Sequence, residues 1–479
     1  MRVNIRVTMR FMVTHEPAAS ISPQPTQVSA EVDPPAHVRV HPFDYYFRPH
    51  MPLRPPPPRA VPSRLWFPTR RAMLSPWLDV RESPAPTPQS RLMADHLWQG
   101  DEPMDAVVAA FDRVGTAAGR AMLDLALAHG IESVPDAPPE LRALFAHLDN
   151  PPQWYDPDLW ERGRRCWIGA STSGKLAMLV QDFMGTFVGA EVASATGATG
   201  RFVYDPYRRN LETTNWFRTM TVTGALERFS PTFADTVRVR LMHSQVRAGL
   251  RKSWGTEHFT ENGNPISNAT MMGAAVTFGL TPLLFDHAHG RRTSTEDLDA
   301  VMHYWSYIAY VFGVAEELIP RTALEGMRMV DYMVATAGVA PEWTGKMARA
   351  ATSGFRGRGP VRWFKVAAIA PALGMMAYFS SPGLVRELLR ATPLRRVPLQ
   401  PWITLVGLVA AVEVRLHALV DRLPGRERRL ARRARGDDPV WRRQARIARL
   451  SAARAGIHGT PYDHHDGSAV GGLTGCPVR

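Results

Sequence analysis

The chain has 479 residues with 57 Lys and Arg against 44 Asp and Glu, a formal charge of +13, and is 45% hydrophobic. That much apolar surface excludes disorder throughout. Its two cysteines, Cys166 and Cys476, exclude a disulfide scaffold and a cysteine-ligated zinc module. The length suits one large helical domain or two smaller ones.

Residues 1–88 are rich in proline, with the run Pro55–Pro58 at their centre. Proline fixes φ and removes a backbone donor, so this segment is expected to be largely disordered or extended. Its removal is expected to change stability little. Val7, Met9, Phe11, Met12 and Val13 are interrupted by Thr8 and Arg10, which breaks the apolar stretch of a signal peptide. No export signal is read, and a cytoplasmic location is expected.

From residue 89 to 420 the sequence reads as helix after helix, an all-α domain. Val107, Val108, Phe111, Val114, Ala118, Met122 and Leu125 form a 3.6-residue stripe over Asp105–Ala128. Lys175–Ala195 is apolar on nearly every side and should be a central helix. Ser230-Pro231 reads as an N-cap followed by proline at the first position, opening a helix to about Lys252. A further helix starts at Thr295-Glu296-Asp297, and Met327–Ala337, Trp343–Ser353 and Val361–Leu389 continue the pattern. The two most apolar runs, Val366–Phe379 and Trp402–Val412, fall short of the roughly 18 residues of a spanning helix and are expected to be buried core helices.

The basic balance is concentrated at the other end. Between Asp421 and Arg454 stand 12 arginines and 4 acids. Arg442–Leu450 has helical spacing with arginine on most faces. A solvated tail helix is the plainer reading of residues 421–479. An electrostatic arm for anionic lipid or nucleic acid is the sharper one, and it carries the alternative function of a non-catalytic helical binder. Residues after Gly456 are expected to be disordered.

Nucleotide and hydrolase motifs are absent. Ser171-Thr172-Ser173-Gly174-Lys175 resembles part of a phosphate loop, but the first glycine is misplaced and no strand precedes it. No histidine has glutamate three residues earlier, so a di-iron bundle is excluded. His287 and His289 could chelate a metal from a loop, although Asp286 and Gly290 suggest an ordinary turn. His243 remains, in mid-helix, with Val239, Arg240, Val246 and Arg247 one turn either way. Flanking guanidinium groups disfavour protonated imidazole, and neutral imidazole binds metals. These arginines could also pair with carboxylates of a cofactor; a half-buried, hydrogen-bonded histidine is the plain alternative. Gly185, Gly189, Ala190, Ala193 and Ala195 would admit something flat or another backbone. Arg209 and Thr213, four apart, share a helix face and could donate to a bound dioxygen or peroxide, or form a surface pair.

In order along the chain, these patterns resemble the rubber oxygenase (latex-clearing protein) and MpaB-type haem oxygenases. Pro152-Gln153-Trp154-Tyr155-Asp156 with Gly163, Arg209 with Thr213, Arg240–Arg247 around His243, Trp254 with Gly263–Asn268, and Tyr304, Trp305, Gly313 and Leu318-Ile319-Pro320 carry the resemblance, over about Pro103 to Gly338. It implies an all-α, globin-like or irregular helical domain around a haem b (iron) pocket. It implies His243 as the proximal metal ligand and Arg209 and Thr213 as distal catalytic groups, with Glu191 the nearby candidate for a base. The implied reaction is dioxygen-dependent cleavage of a C=C bond in an isoprenoid or other hydrophobic small molecule. Arg240 and Arg247 are the candidates for the haem propionates, an internal salt bridge being the competing assignment for Arg247. Lys175–Ala195, Met271, Met272 and Phe278 are expected to line the pocket. The rubber-cleaving members carry lysine immediately before the threonine, where this chain has Glu212, so distal lysine ligation and a rubber substrate are not implied. The expected partners are dioxygen and the hydrophobic substrate, with peripheral membrane contact through the arginine tail and no specific nucleic acid.

Overall fold

Helix starts follow the capping chemistry of the sequence. Ser230 accepts a 3.1 Å bond from the amide of Phe233, and Pro231 stands at the first position of Pro231–Asn262. Ser294 caps Thr295–Val311 through Asp297, and Thr322 with Glu325 forms a reciprocal capping box on Ala323–Ala335. The computed structural model describes residues 46–188, 192, 194–195, 206–337, 341–355 and 359–454. All belong to one unit, Val40–Arg479. Among the described residues there are helices and no strands, the all-α class expected.

Asn268–Ala288 is the central helix, buried along most of its length. It packs against Thr172–Val188, Thr295–Val311 and Ala323–Ala335. Pro157–Ile168 lies closely on Thr295–Val311, where a Cβ at Gly163 would collide with the carbonyl oxygen of Ala300. The predicted Asp105–Ala128 stripe is two helices, Glu102–Val114 and Thr116–His129, broken at Gly115 with φ 96°. Of the expected Lys175–Ala195 helix, Thr172–Val188 is described, as are the helical residues 192, 194 and 195.

The amino-terminal expectation is corrected for residues 46–88. They include a helix, Phe67–Leu74, that packs on Asn268–Ala288. Its Arg70 is buried and pairs with Asp331 at 2.8 Å, and the guanidinium also donates to the carbonyls of Arg81 and Glu82. Proline did not prevent order, because Pro68 sits in the first turn, where its missing N–H costs nothing. Deleting the segment would leave Asp331 without its cation, so a lowered melting temperature is expected in place of the small effect read from the sequence. Residues 1–45 lie outside the described residues.

The carboxyl-terminal expectation is corrected as well. Pro439–Arg454 packs on Pro206–Met220, and Trp441 is fully buried. The Trp441 ring stacks with Phe217, at 5.3 Å and 5°, and with Trp167, at 5.9 Å and 17°. One residue row is therefore core while the arginines face outward. Asp438 pairs with the buried amine of Lys175, which also donates to the carbonyl of Ile168. Burial pulls the lysine's pKa down against the opposing pull of Asp438. Trp441→Ala should cost about 3–5 kcal/mol, a cavity on the scale of large-to-small aromatic replacements, read as a lower urea midpoint. A midpoint within experimental error of wild type would show this helix to be peripheral.

The two apolar runs also depart from expectation. Pro360–Phe379 is only partly buried, and Gln400–Asp421 has few buried residues, Ala410 and Val414 among them. Glu413, which interrupts the second run, bonds the amides of Thr172 and Ser173 at 3.1 Å each. It caps the next helix from outside.

Candidate active site

His243 stands mid-way along Pro231–Asn262, which is interrupted at Gly255. Its imidazole is half-buried and lies 6.1 Å from the Phe312 ring at an angle of 25°. It lines a small cavity, about 10 Å³, with Asp101, Arg247, Ile266, Asn268, Met271, Phe312 and Gly313. Met271 lines this cavity together with the histidine. Met272 and Phe278 do not: they belong to the core, Phe278 edge-on to Phe217 and Trp305.

The two arginines beside His243 are fixed by aspartates. Arg240 donates from Nε to Asp101 Oδ2 at 2.6 Å and from Nη2 to Oδ1 at 2.8 Å, and Nη1 reaches the carbonyl of Val311. Arg247 donates to Asp105 at 2.6 Å, to the carbonyl of Ile266 at 2.8 Å and to Ser244 Oγ at 2.7 Å. Both guanidiniums are 98% or more removed from solvent. Burial opposes the charge of Arg247, yet the attraction of Asp105 and Asp101 holds its pKa above the ordinary arginine value. Of the two assignments open from sequence for Arg247, the internal salt bridge is present, and Arg240 forms one too. Nearby, burial and then Arg240 push His147 down to about 4, so it is neutral. Gly313, at φ 86°, passes directly over the Asp101–Arg240 pair, where a Cβ would overlap both side chains.

Sequence reasoning missed Asp101 and Asp105. Their signal was weak: Asp101 also caps Glu102–Val114 through the amide of Met104, a role an aspartate at a helix start fills without any partner arginine.

The remaining sequence candidates fall differently. Arg209 and Thr213 both lie on Pro206–Met220, four residues apart, and Thr213 is half-buried. The side chains of Arg209 and Glu212, and Glu191 entirely, lie outside the described residues. His289 is not a loop chelator. It caps Asn268–Ala288, with Nδ1 bonded to the Phe285 carbonyl at 2.8 Å and Nε2 to the Tyr378 hydroxyl at 2.7 Å. His287 packs on Trp77 at 4.4 Å. Ser171, in the sequence that resembles a phosphate loop, bonds Asp286 and the amide of Gly174.

Among the described residues no three His, Cys, Asp or Glu side chains converge as a metal-ion site. A metal at His243 would thus take one imidazole from the described protein and its other ligands from a chelating group. Single-histidine ligation of a haem fits that donor set.

The sequence signature described as "ER-bound oxygenase mpaB/B'/Rubber oxygenase, catalytic domain" matches residues 168–414. The rubber oxygenase of Streptomyces sp. (strain K30) is 26% identical over 260 residues, 48% of this chain. The match spans 56% of that relative's length, a little over half. A solved structure of latex clearing protein in the closed state aligns with 73% of this chain and 91% of its own, at 18% identity and a TM-score of 0.49. Arg209, Thr213 and the Arg240–Arg247 helix all fall inside the matched span, which covers more than half of the chain. The chain belongs to the family of mpaB/B' and rubber oxygenase catalytic domains.

Proposed function

We propose that the protein is a haem b-dependent oxygenase that uses dioxygen to cleave a C=C bond of an isoprenoid or other hydrophobic substrate. The observation that carries this reading is His243, on a helix locked by two buried ion pairs within the span matching an oxygenase catalytic domain. When bound, haem supplies the activation of dioxygen.

The chain's own part is positional and electrostatic. His243 would hold the haem iron through its imidazole. The Asp101–Arg240 and Asp105–Arg247 pairs tie its helix to Glu102–Val114, which fixes the imidazole's approach. Those pairs already engage the guanidiniums, so holding the helix is their assigned role rather than propionate binding. Arg209 would stabilise negative charge developing on dioxygen, Thr213 would donate a neutral hydrogen bond beside it, and Glu191 would take a proton from the substrate.

Purified full-length protein reconstituted with haem should show a Soret band, and a protein that stays colourless with haem in excess overturns the reading. Arg209→Ala should keep the Soret spectrum while activity on a terpenoid alkene falls by about two orders of magnitude, the worth of a preorganised donor in a dry site. Thr213→Ala should cost less, because water can replace a hydroxyl. If Arg209→Ala loses haem as well, the arginine holds the cofactor or the fold instead.

A further inference from the structure

We propose that the outer face of helix Gln400–Asp421, with the arginines at its two ends, docks the protein onto an anionic lipid surface. Leu405, Leu408, Val409, Val412, Leu416, Leu419 and Val420 recur three and four residues apart along this helix, and all are exposed, Leu408 by 63%. The pattern is helical amphipathicity with the apolar side turned to solvent. Leu423 extends the stripe past the helix end. On the neighbouring helix Pro360–Phe379, Trp363 and Phe364 are exposed by 70% and 78%. Indole rings settle at the level of lipid headgroups, and the phenyl ring beside this one adds apolar area.

The helix is long and apolar enough to cross a bilayer, with a mean hydropathy of 1.9 over its best window. Its other side is held by the domain. Ala410 and Val414 are buried, Gly407 packs against Tyr378, Gly374 of the neighbouring helix packs against Trp402, and Glu413 caps Thr172–Val188. A helix bonded along one side to the domain is placed to lie in the interface with its other side in the lipid.

Charge selects the occupant. Exposed Arg395 and Arg396 precede the helix, and exposed Arg422, Arg428, Arg432 and Arg435 follow it. Beside its far end opens a cleft of about 440 Å³ lined by Arg291, Arg292, Arg422 and Arg426, with Asp297 and Asp421 as its only carboxylates. Arg291 is matched to Asp421 and Asp286, leaving the cleft cationic. A second copy docked two-fold on the same stripe would set arginine clusters against one another, whichever way the helices ran. Anionic headgroups meet both ends with opposite charge while the leucines enter the acyl boundary.

The test is co-sedimentation of the full-length protein with phosphatidylcholine vesicles, with and without phosphatidylglycerol. Binding should require phosphatidylglycerol and weaken as salt is raised. Leu408→Glu/Leu416→Glu, at exposed positions, should lower the bound fraction at least about tenfold with an unchanged melting curve. Arg422→Glu/Arg428→Glu should do the same by reversing the charge at one end. Absence of wild-type binding, or equal binding by both variants, overturns the proposal. A wild-type dimer that Leu408→Glu/Leu416→Glu converts to monomer, with no vesicle binding, assigns the stripe to a second copy instead.

Discussion

His243→Ala should remove haem from an otherwise folded protein. His243 would be the residue that holds the haem iron, so occupancy should fall at least about tenfold, as judged against losses known for lesser, outer-shell changes at metal sites. The imidazole is only half-buried, and truncating it should cost the fold about 1 kcal/mol, a typical value for a single substitution. The two effects therefore separate: the Soret band should collapse while the far-ultraviolet dichroism and melting curve stay close to wild type. Imidazole added to the solution should restore part of the band, because it fits the space left by the side chain. A mutant with the wild-type Soret spectrum would assign ligation to another residue and remove the central element of the proposed mechanism.

The largest loss of stability should come from Asp101→Ala. Arg240 would then keep its charge in a nearly solvent-free site with no carboxylate to meet it. Breaking a buried pair in this way costs about 3–5 kcal/mol. Loss of the Asp101 cap on Glu102–Val114 adds about 1 kcal/mol. Arg240→Met in the same background should recover much of the first loss, because the uncompensated cation goes and the volume is kept. Urea unfolding of the four proteins of this cycle reads the coupling. If the single Asp101→Ala variant loses less than about 1 kcal/mol, water reaches the guanidinium and the pair does not lock the helix.

The all-α class, most helix starts and the position of His243 were legible in the sequence, because caps and 3.6-residue periodicity act over one or two turns. Ser230-Pro231 and Ser294 marked their helices for that reason. The family patterns are equally short, so the Arg240–Arg247 helix could be located without a structure. The chain could not announce the partners of those arginines. Asp101 lies 139 residues from Arg240, and Asp105 lies 142 from Arg247. The desolvation that makes each pair consequential exists only once Glu102–Val114 and Pro231–Asn262 come together. Lys175 and Asp438, 263 residues apart, repeat the case, and with Trp441 they turn an apparent arginine tail into part of the core. Trp402–Val412 shows the converse. Its composition is that of a buried helix, and periodicity cannot tell which side of an apolar helix the rest of the chain will cover. Packing decided that, placing Ala410 inside and leaving Leu405, Leu408 and Val412 on the surface.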